Sequence, residues 1–133
     1  MATRFRTPAA CAALLAFALA PGFADAACPL VEKVVTGTVV NDSGKGVSGL
    51  TVVATWDEKG ASGVTSQTKS GEDGRFELLI QYSPYSGRSF GGTDRCEGAA
   101  PVAEVSAALE GGKPARERVD LGTDYGVLKL VVR

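Results

Sequence analysis

Two stretches of this chain return an apolar side chain at every second position. Leu50, Val52, Ala54 and Trp56 alternate with Thr51 and Thr55, and Phe76, Leu78, Ile80 and Tyr82 alternate with Arg75, Glu77 and Gln81. A period of two gathers one set on a single face of an extended strand and turns the other set to water. On a helix the same spacing would scatter the apolar residues around the cylinder and leave no face to bury. Leu128, Leu130 and Val132 repeat the pattern, alternating with Val127, Lys129 and Val131. The chain is therefore committed to sheets wherever its apolar residues are densest.

The remaining segments punctuate that pattern. Val34 to Val40 is rich in Val and Thr and reads as a strand, closed by the turn residues Asn41-Asp42-Ser43-Gly44. Asp57 to Gly63 reads as a loop, and Val64 to Lys69, poor in apolar residues, as an edge strand. Gly71-Glu72-Asp73-Gly74 is a second turn. Pro101 to Glu110 has helical propensity, but Ala103, Val105, Ala107 and Leu109 share one strand face, and Pro101 and the Gly111-Gly112 pair bound it. Val119 to Leu121 reads as a short strand, and the run Arg116-Glu117-Arg118 before it as a solvated strand edge. About seven short strands, separated by turn signals at roughly 8 to 12 residues, predict an all-β chain folded as one seven-stranded antiparallel β-sandwich. Trp56 and Phe76 are its expected large core residues. Gly37 is expected to permit a close approach between sheets or a bulge, and Gly44 and Gly74 to supply positive φ in their turns.

The fold is expected to begin only after residue 26. Arg4 and Arg6 precede an apolar run from Ala9 to Ala20, Pro21-Gly22 ends it, and Ala24-Asp25-Ala26 offers small residues around a cleavage point. That order reads as a secretory signal peptide over residues 1–26, with the folded domain at 27–133. The run is shorter than the roughly 20 residues a bilayer span needs, and no later segment is long and apolar enough to span one. Lipidation at Cys28 is the alternative, but Asp25-Ala26-Ala27 does not resemble a bacterial lipobox. Export to a periplasm or to the outside is expected.

Removal of residues 1–26 takes Cys11 with it and leaves Cys28 and Cys96. Two cysteines in an exported chain predict one disulfide. Two free thiols are the other reading, while two cysteines without histidine are too few soft ligands for structural zinc.

The segment Val35-Thr-Gly-Thr-Val-Val-Asn-Asp-Ser-Gly44-Lys-Gly-Val47-Ser-Gly49-Leu-Thr-Val52 resembles the opening of the carboxypeptidase regulatory-like domain. That family belongs with the transthyretin-like and Cna-B-like sandwiches. Thr68 followed by Gly71-Glu72-Asp73-Gly74-Arg75-Phe76-Glu77-Leu78 is similar to the family's Thr, Asp-x-Gly, Phe-x-Leu hairpin. The resemblance covers residues 34–82. Beyond them the chain departs from the family pattern, with an extended loop, Cys96 and no clear Gly-Tyr step. The resemblance implies a transthyretin-like architecture and, by analogy with transthyretin, self-association through strand edges.

Function is narrowed mainly by one composition fact: the chain has no histidine. This removes the commonest general base, the His-dependent nucleophile systems and every His-containing metal site. Related hydroxyisourate hydrolases and intradiol dioxygenases depend on histidines, so neither site carries over. The loop carboxylates Asp42, Asp57, Glu58, Glu72, Asp73 and Asp94 are expected to be solvated turn residues, without the dense Asp spacing of a calcium loop. No catalytic residue, metal or cofactor is expected. Fourteen Lys and Arg against fifteen Asp and Glu leave a net charge of -1, which argues against nucleic acid as the partner.

The segment Ser83 to Arg95 carries Tyr85, Arg88, Phe90 and Arg95 among Ser and Gly. Rigid aromatic and guanidinium groups on a small-residue background resemble a binding loop. The alternative is that Tyr85 and Phe90 fold back over the end of the domain. Cys96 would tether the loop to the N-terminal side. Asn41-Asp42-Ser43 fits a glycosylation sequon but is read here as a plain turn. The expectation is a non-catalytic module that binds a protein or an envelope glycan through 83–95 or an edge strand. A structural role, as a homo-oligomer or an assembly accessory, is the second expectation.

Overall fold

The computed structural model describes residues 28–123 and 126–133; the expected export segment, and Cys11 with it, lies outside them. The described residues are all β, with no helix. In chain order the strands are β1 (Val31–Val40), β2 (Thr51–Glu58), β3 (Ala61–Lys69), β4 (Arg75–Tyr82), β5 (Gly87–Arg88), β6 (Asp94–Arg95), β7 (Val102–Ala107), β8 (Ala115–Asp120) and β9 (Leu128–Val131). They form a three-stranded sheet in the order β4-β1-β9, a four-stranded sheet in the order β3-β2-β7-β8, and the small pair β5-β6.

Alternation decides what each strand buries. Phe76, Leu78, Ile80 and Tyr82 of β4, Val52, Ala54 and Trp56 of β2, and Ala103, Val105 and Ala107 of β7 all point inward. Val35 and Val39 of β1, Val119 and Leu121 around β8, and Leu130 and Val132 around β9 complete one hydrophobic cluster shared by both large sheets. Trp56 and Phe76 lie in that core, as the sequence predicts. The stretch from Pro101 resolves to strand because Val105 must face the same core as its β2 partner Ala54, with Ala103 and Ala107 on the same face. That tertiary demand outweighs local helical propensity.

Four features differ from the sequence reading. β9 runs parallel to β1, pairing Gly37 with Leu128 and Val39 with Leu130, so the expected antiparallel arrangement fails at this one neighbour pair. Parallel neighbours need a long connection, and the path through the four-stranded sheet supplies it. Asp57 and Glu58 belong to β2, not to a loop; the turn is only Lys59-Gly60, and β3 begins at Ala61. β8 extends back to Ala115, so the exposed Arg116, Glu117 and Arg118 lie within an edge strand, where Arg116 approaches Glu104 of β7 at 3.7 Å. Gly37 makes its close approach within a sheet, not between sheets. A β-carbon there would lie 2.4 Å from Cζ of Phe76, its partner across the β1–β4 ladder.

The two turn motifs of the sequence meet at one end of the molecule. Val39 N–H donates to Gly74 O at 2.7 Å, and Val47 N–H to Val39 O at 2.9 Å. A β-carbon on Gly46 would lie 2.1 Å from the Asp73 carbonyl oxygen, so the turns touch backbone to backbone. Gly74 combines this crowding with φ of 80° and therefore has no side-chain-bearing substitute. Asn41 Oδ1 accepts from the Ser43 amide, the Ser43 hydroxyl and the Lys45 amide, which fixes the first turn. Ser70, a buried polar residue, fastens the next connection: its hydroxyl donates to Val47 O at 2.7 Å and accepts from Leu50 N–H at 3.0 Å.

Candidate functional site

The segment from Ser83 leaves β4 immediately after the buried Tyr82 and is anchored at once. Ser83 N–H donates to Glu58 Oε1, and the same oxygen accepts from Trp56 Nε1–H, each at 3.0 Å. Half-buried Glu58 thus joins the core tryptophan to the base of the loop, which corrects its reading as a solvated turn residue. Gly98 N–H donates to Pro84 O at 2.8 Å, and a β-carbon on Gly98 would lie 2.8 Å from that oxygen, so glycine is required where the returning chain passes. The Lys59 ammonium donates to the Ser86 carbonyl from the β2–β3 turn.

Above this base the segment is a hairpin, not the aperiodic loop its composition implies. Gly87 pairs with Arg95 and Arg88 with Asp94. Ser86 N–H donates to Arg95 O at 2.8 Å, and Ser89 N–H to Thr93 O at 2.7 Å. Gly92 N–H closes the tip onto Ser89 O at 3.1 Å, with φ of 85°, a value that favours glycine. The Ser89 hydroxyl donates to Thr93 O at 3.0 Å. The expected disulfide is present. Cys28 and Cys96 are joined with Cα atoms 5.4 Å apart, one residue beyond Arg95. The sulfur of Cys28 also packs 3.5 Å from the Arg95 carbonyl oxygen. Having no hydrogen, it makes a van der Waals contact there and not a hydrogen bond.

The four loop residues singled out from the sequence do not form one cluster. Tyr85 is half-buried at the base, beside a cleft of about 290 Å³ that Asp57, Glu58, Lys59 and Gly98 also border. Phe90 is fully exposed at the tip, so it does not fold back over the domain. Arg88 is exposed and its Nε lies 3.4 Å from Asp94 Oδ1. Arg95 is exposed on β6. The anchoring roles of Glu58, Lys59 and Gly98 carry no sequence signal, because a polar turn and a lone glycine read the same whether or not another segment docks on them.

Three of the other carboxylates are occupied locally. Asp42 Oδ1 lies 2.7 Å from Arg133 Nε, Asp73 Oδ2 lies 3.0 Å from Arg75 Nε, and Asp57 Oδ1 accepts from Gly63 N–H at 2.8 Å. Among the described residues no three Cys, Asp or Glu side chains are grouped as a metal site would require.

A second surface was not anticipated. On the outer face of the three-stranded sheet Val34 and Leu79 are register partners, 55% and 47% exposed. Val131 on β9 and Val127 before it are exposed too, and Val127 borders a groove of about 650 Å³ with Thr36, Thr38, Arg75 and Glu77. Two-residue alternation would have located it, since Val34 and Leu79 both occupy outward positions. No protein-family model matches the chain, and no curated protein sequence matches it.

Proposed function

We propose that this chain is an exported, non-catalytic β-sandwich module of the carboxypeptidase regulatory-like, transthyretin-like type. It binds a protein or an envelope glycan through the hairpin at 83–95. The observation that carries this reading is the hairpin itself: a preformed projection with a fully exposed aromatic tip, clamped at its base by the Cys28–Cys96 bond. Flexible loops lose entropy when they bind, whereas a hairpin already closed by backbone bonds loses little. The disulfide is compatible with an oxidising, exported compartment, which agrees with residues 1–26 acting as a signal peptide. The absence of histidine supports a non-catalytic role. Affinity capture from the native envelope fraction tests the reading. The mature chain serves as bait beside a twin whose residues 83–95 are replaced by a short Gly-Ser turn. A partner retained by the first and lost by the second is the expected outcome; equal recovery by both refutes it.

One observation favours a structural role as the second reading. The exposed Val34–Leu79 pair offers an apolar strip to a further copy of the chain. Under that reading, sedimentation velocity shows association that rises with concentration and is abolished by Leu79→Asp, with the hairpin twin associating normally.

A further inference from the structure

We propose that Phe90 is the anchor of this interface and enters an apolar pocket, one aromatic ring wide, on the surface of a partner protein. The proposal rests on the hairpin reading above and narrows it to one class of partner.

The surroundings of Phe90 make it the single large apolar group of the tip. Ser89 precedes it with its hydroxyl turned back onto Thr93 O, and Gly91 and Gly92 follow without side chains. A ring flanked in this way can be inserted deeply, because the glycines let a partner's surface close in behind it. The strand pair, the Arg88–Asp94 contact and the disulfide hold the hairpin before any encounter. A rigid exposed aromatic residue on a preordered support has the character of an interface hot spot.

The same details disfavour the other two classes of partner. A sugar needs donors and acceptors beside the ring for its hydroxyls. Here the Ser89 and Gly92 amides and the Ser89 hydroxyl are bonded within the tip, and the ring is fully exposed. A membrane interface needs several apolar groups or a basic cluster. The tip has one aromatic ring among Ser, Gly and Thr; Asp94 offsets Arg88, and the exposed Arg95 is not by itself a basic cluster. A concave apolar site on a protein matches a lone exposed ring.

Photo-crosslinking in the cells that make the protein tests this. The full chain carries p-benzoylphenylalanine in place of Phe90, in place of Arg95, or in place of Ser43 as a control. The expected result is one protein joined through position 90 and not through position 43, with the attachment mapped to apolar side chains of a pocket. With that partner purified, Phe90→Ala weakens binding about 10- to 100-fold and Phe90→Leu less, while the melting temperature is unchanged. Lipid or glycan adducts at position 90 overturn the assignment of partner class. A partner captured through Arg95 whose affinity Phe90→Ala changes less than twofold removes Phe90 as anchor and leaves the hairpin reading intact. No adduct from position 90 or 95 overturns both.

Discussion

Replacing Gly37 with alanine tests how this core is assembled. The added methyl would sit 2.4 Å from Cζ and 2.7 Å from Cε1 of Phe76, against the 3.5–4.0 Å at which carbon atoms rest. The ring must therefore retreat by about 1 Å or more. It is buried among the core side chains, so any retreat displaces them or pushes the ring toward the groove that Phe76 borders. Nor can β1 back away, since it is the central strand of its sheet and the Leu128 carbonyl oxygen is only 2.9 Å from the same methyl. Overpacking of this kind costs about 1–3 kcal/mol, and the constraint on both sides puts Gly37→Ala near the upper end. Alanine also restricts the unfolded chain, which returns about 0.4–1 kcal/mol. The expected net loss is about 2 kcal/mol. Phe76→Leu removes both clashing ring atoms but leaves the Leu128 carbonyl oxygen close to the methyl, so in that background Gly37→Ala should cost about 1 kcal/mol less. Urea unfolding of the oxidised chain, followed through the sole tryptophan, buried Trp56, reads all four members of the cycle. Equal costs in the two backgrounds would refute the claim that Gly37 exists to seat the Phe76 ring.

Three further outcomes follow from other contacts. Reduction of Cys28–Cys96 opens a crosslink across a sequence separation of 68, for which chain entropy assigns about 4 kcal/mol; an unchanged urea midpoint in reductant would contradict this. Ser70→Ala leaves the Leu50 amide and the Val47 carbonyl without their hydroxyl partner at a buried site, a loss of about 1–3 kcal/mol accompanied by faster hydrogen exchange at Leu50. Phe90→Ala, by contrast, should leave unfolding free energy within about 0.5 kcal/mol of the parent, because the ring has no core to leave; a larger loss means that the tip packs on the domain.

What the sequence discloses and what it conceals divide along a physical line. β2, β4 and β9 are legible because burial on one face writes itself as a period of two. β8 is legible only at Val119, the one residue of that strand buried in the core; Arg116, Glu117, Arg118 and Asp120 are charged because an edge strand needs little else. The β5–β6 hairpin leaves no apolar trace, since backbone bonds and a covalent bond made outside it hold it together. Of the candidate binding residues, the exposure of Phe90 could not be read, because an aromatic residue in a loop is equally suited to covering a core or to leaving it. Gly37 was recognisable as a close approach, but its partner was not, because Phe76 comes opposite it only once the β1–β4 register is set.

The parallel pairing of β1 with β9 also orders events in time. Residues 31–40 leave the ribosome early, yet the neighbour that covers one edge of that strand is synthesised only when residues 128–131 are made. Until then one row of β1 amides and carbonyls faces water, and Val39 lacks Leu130 beside it. Contacts this distant along the chain place folding in the slow range of β-rich domains, about milliseconds to seconds. A chain lacking residues 128–131 would carry an open β1 edge able to recruit a strand from a neighbour, so docking of β9 is itself a step that protects this fold from aggregation.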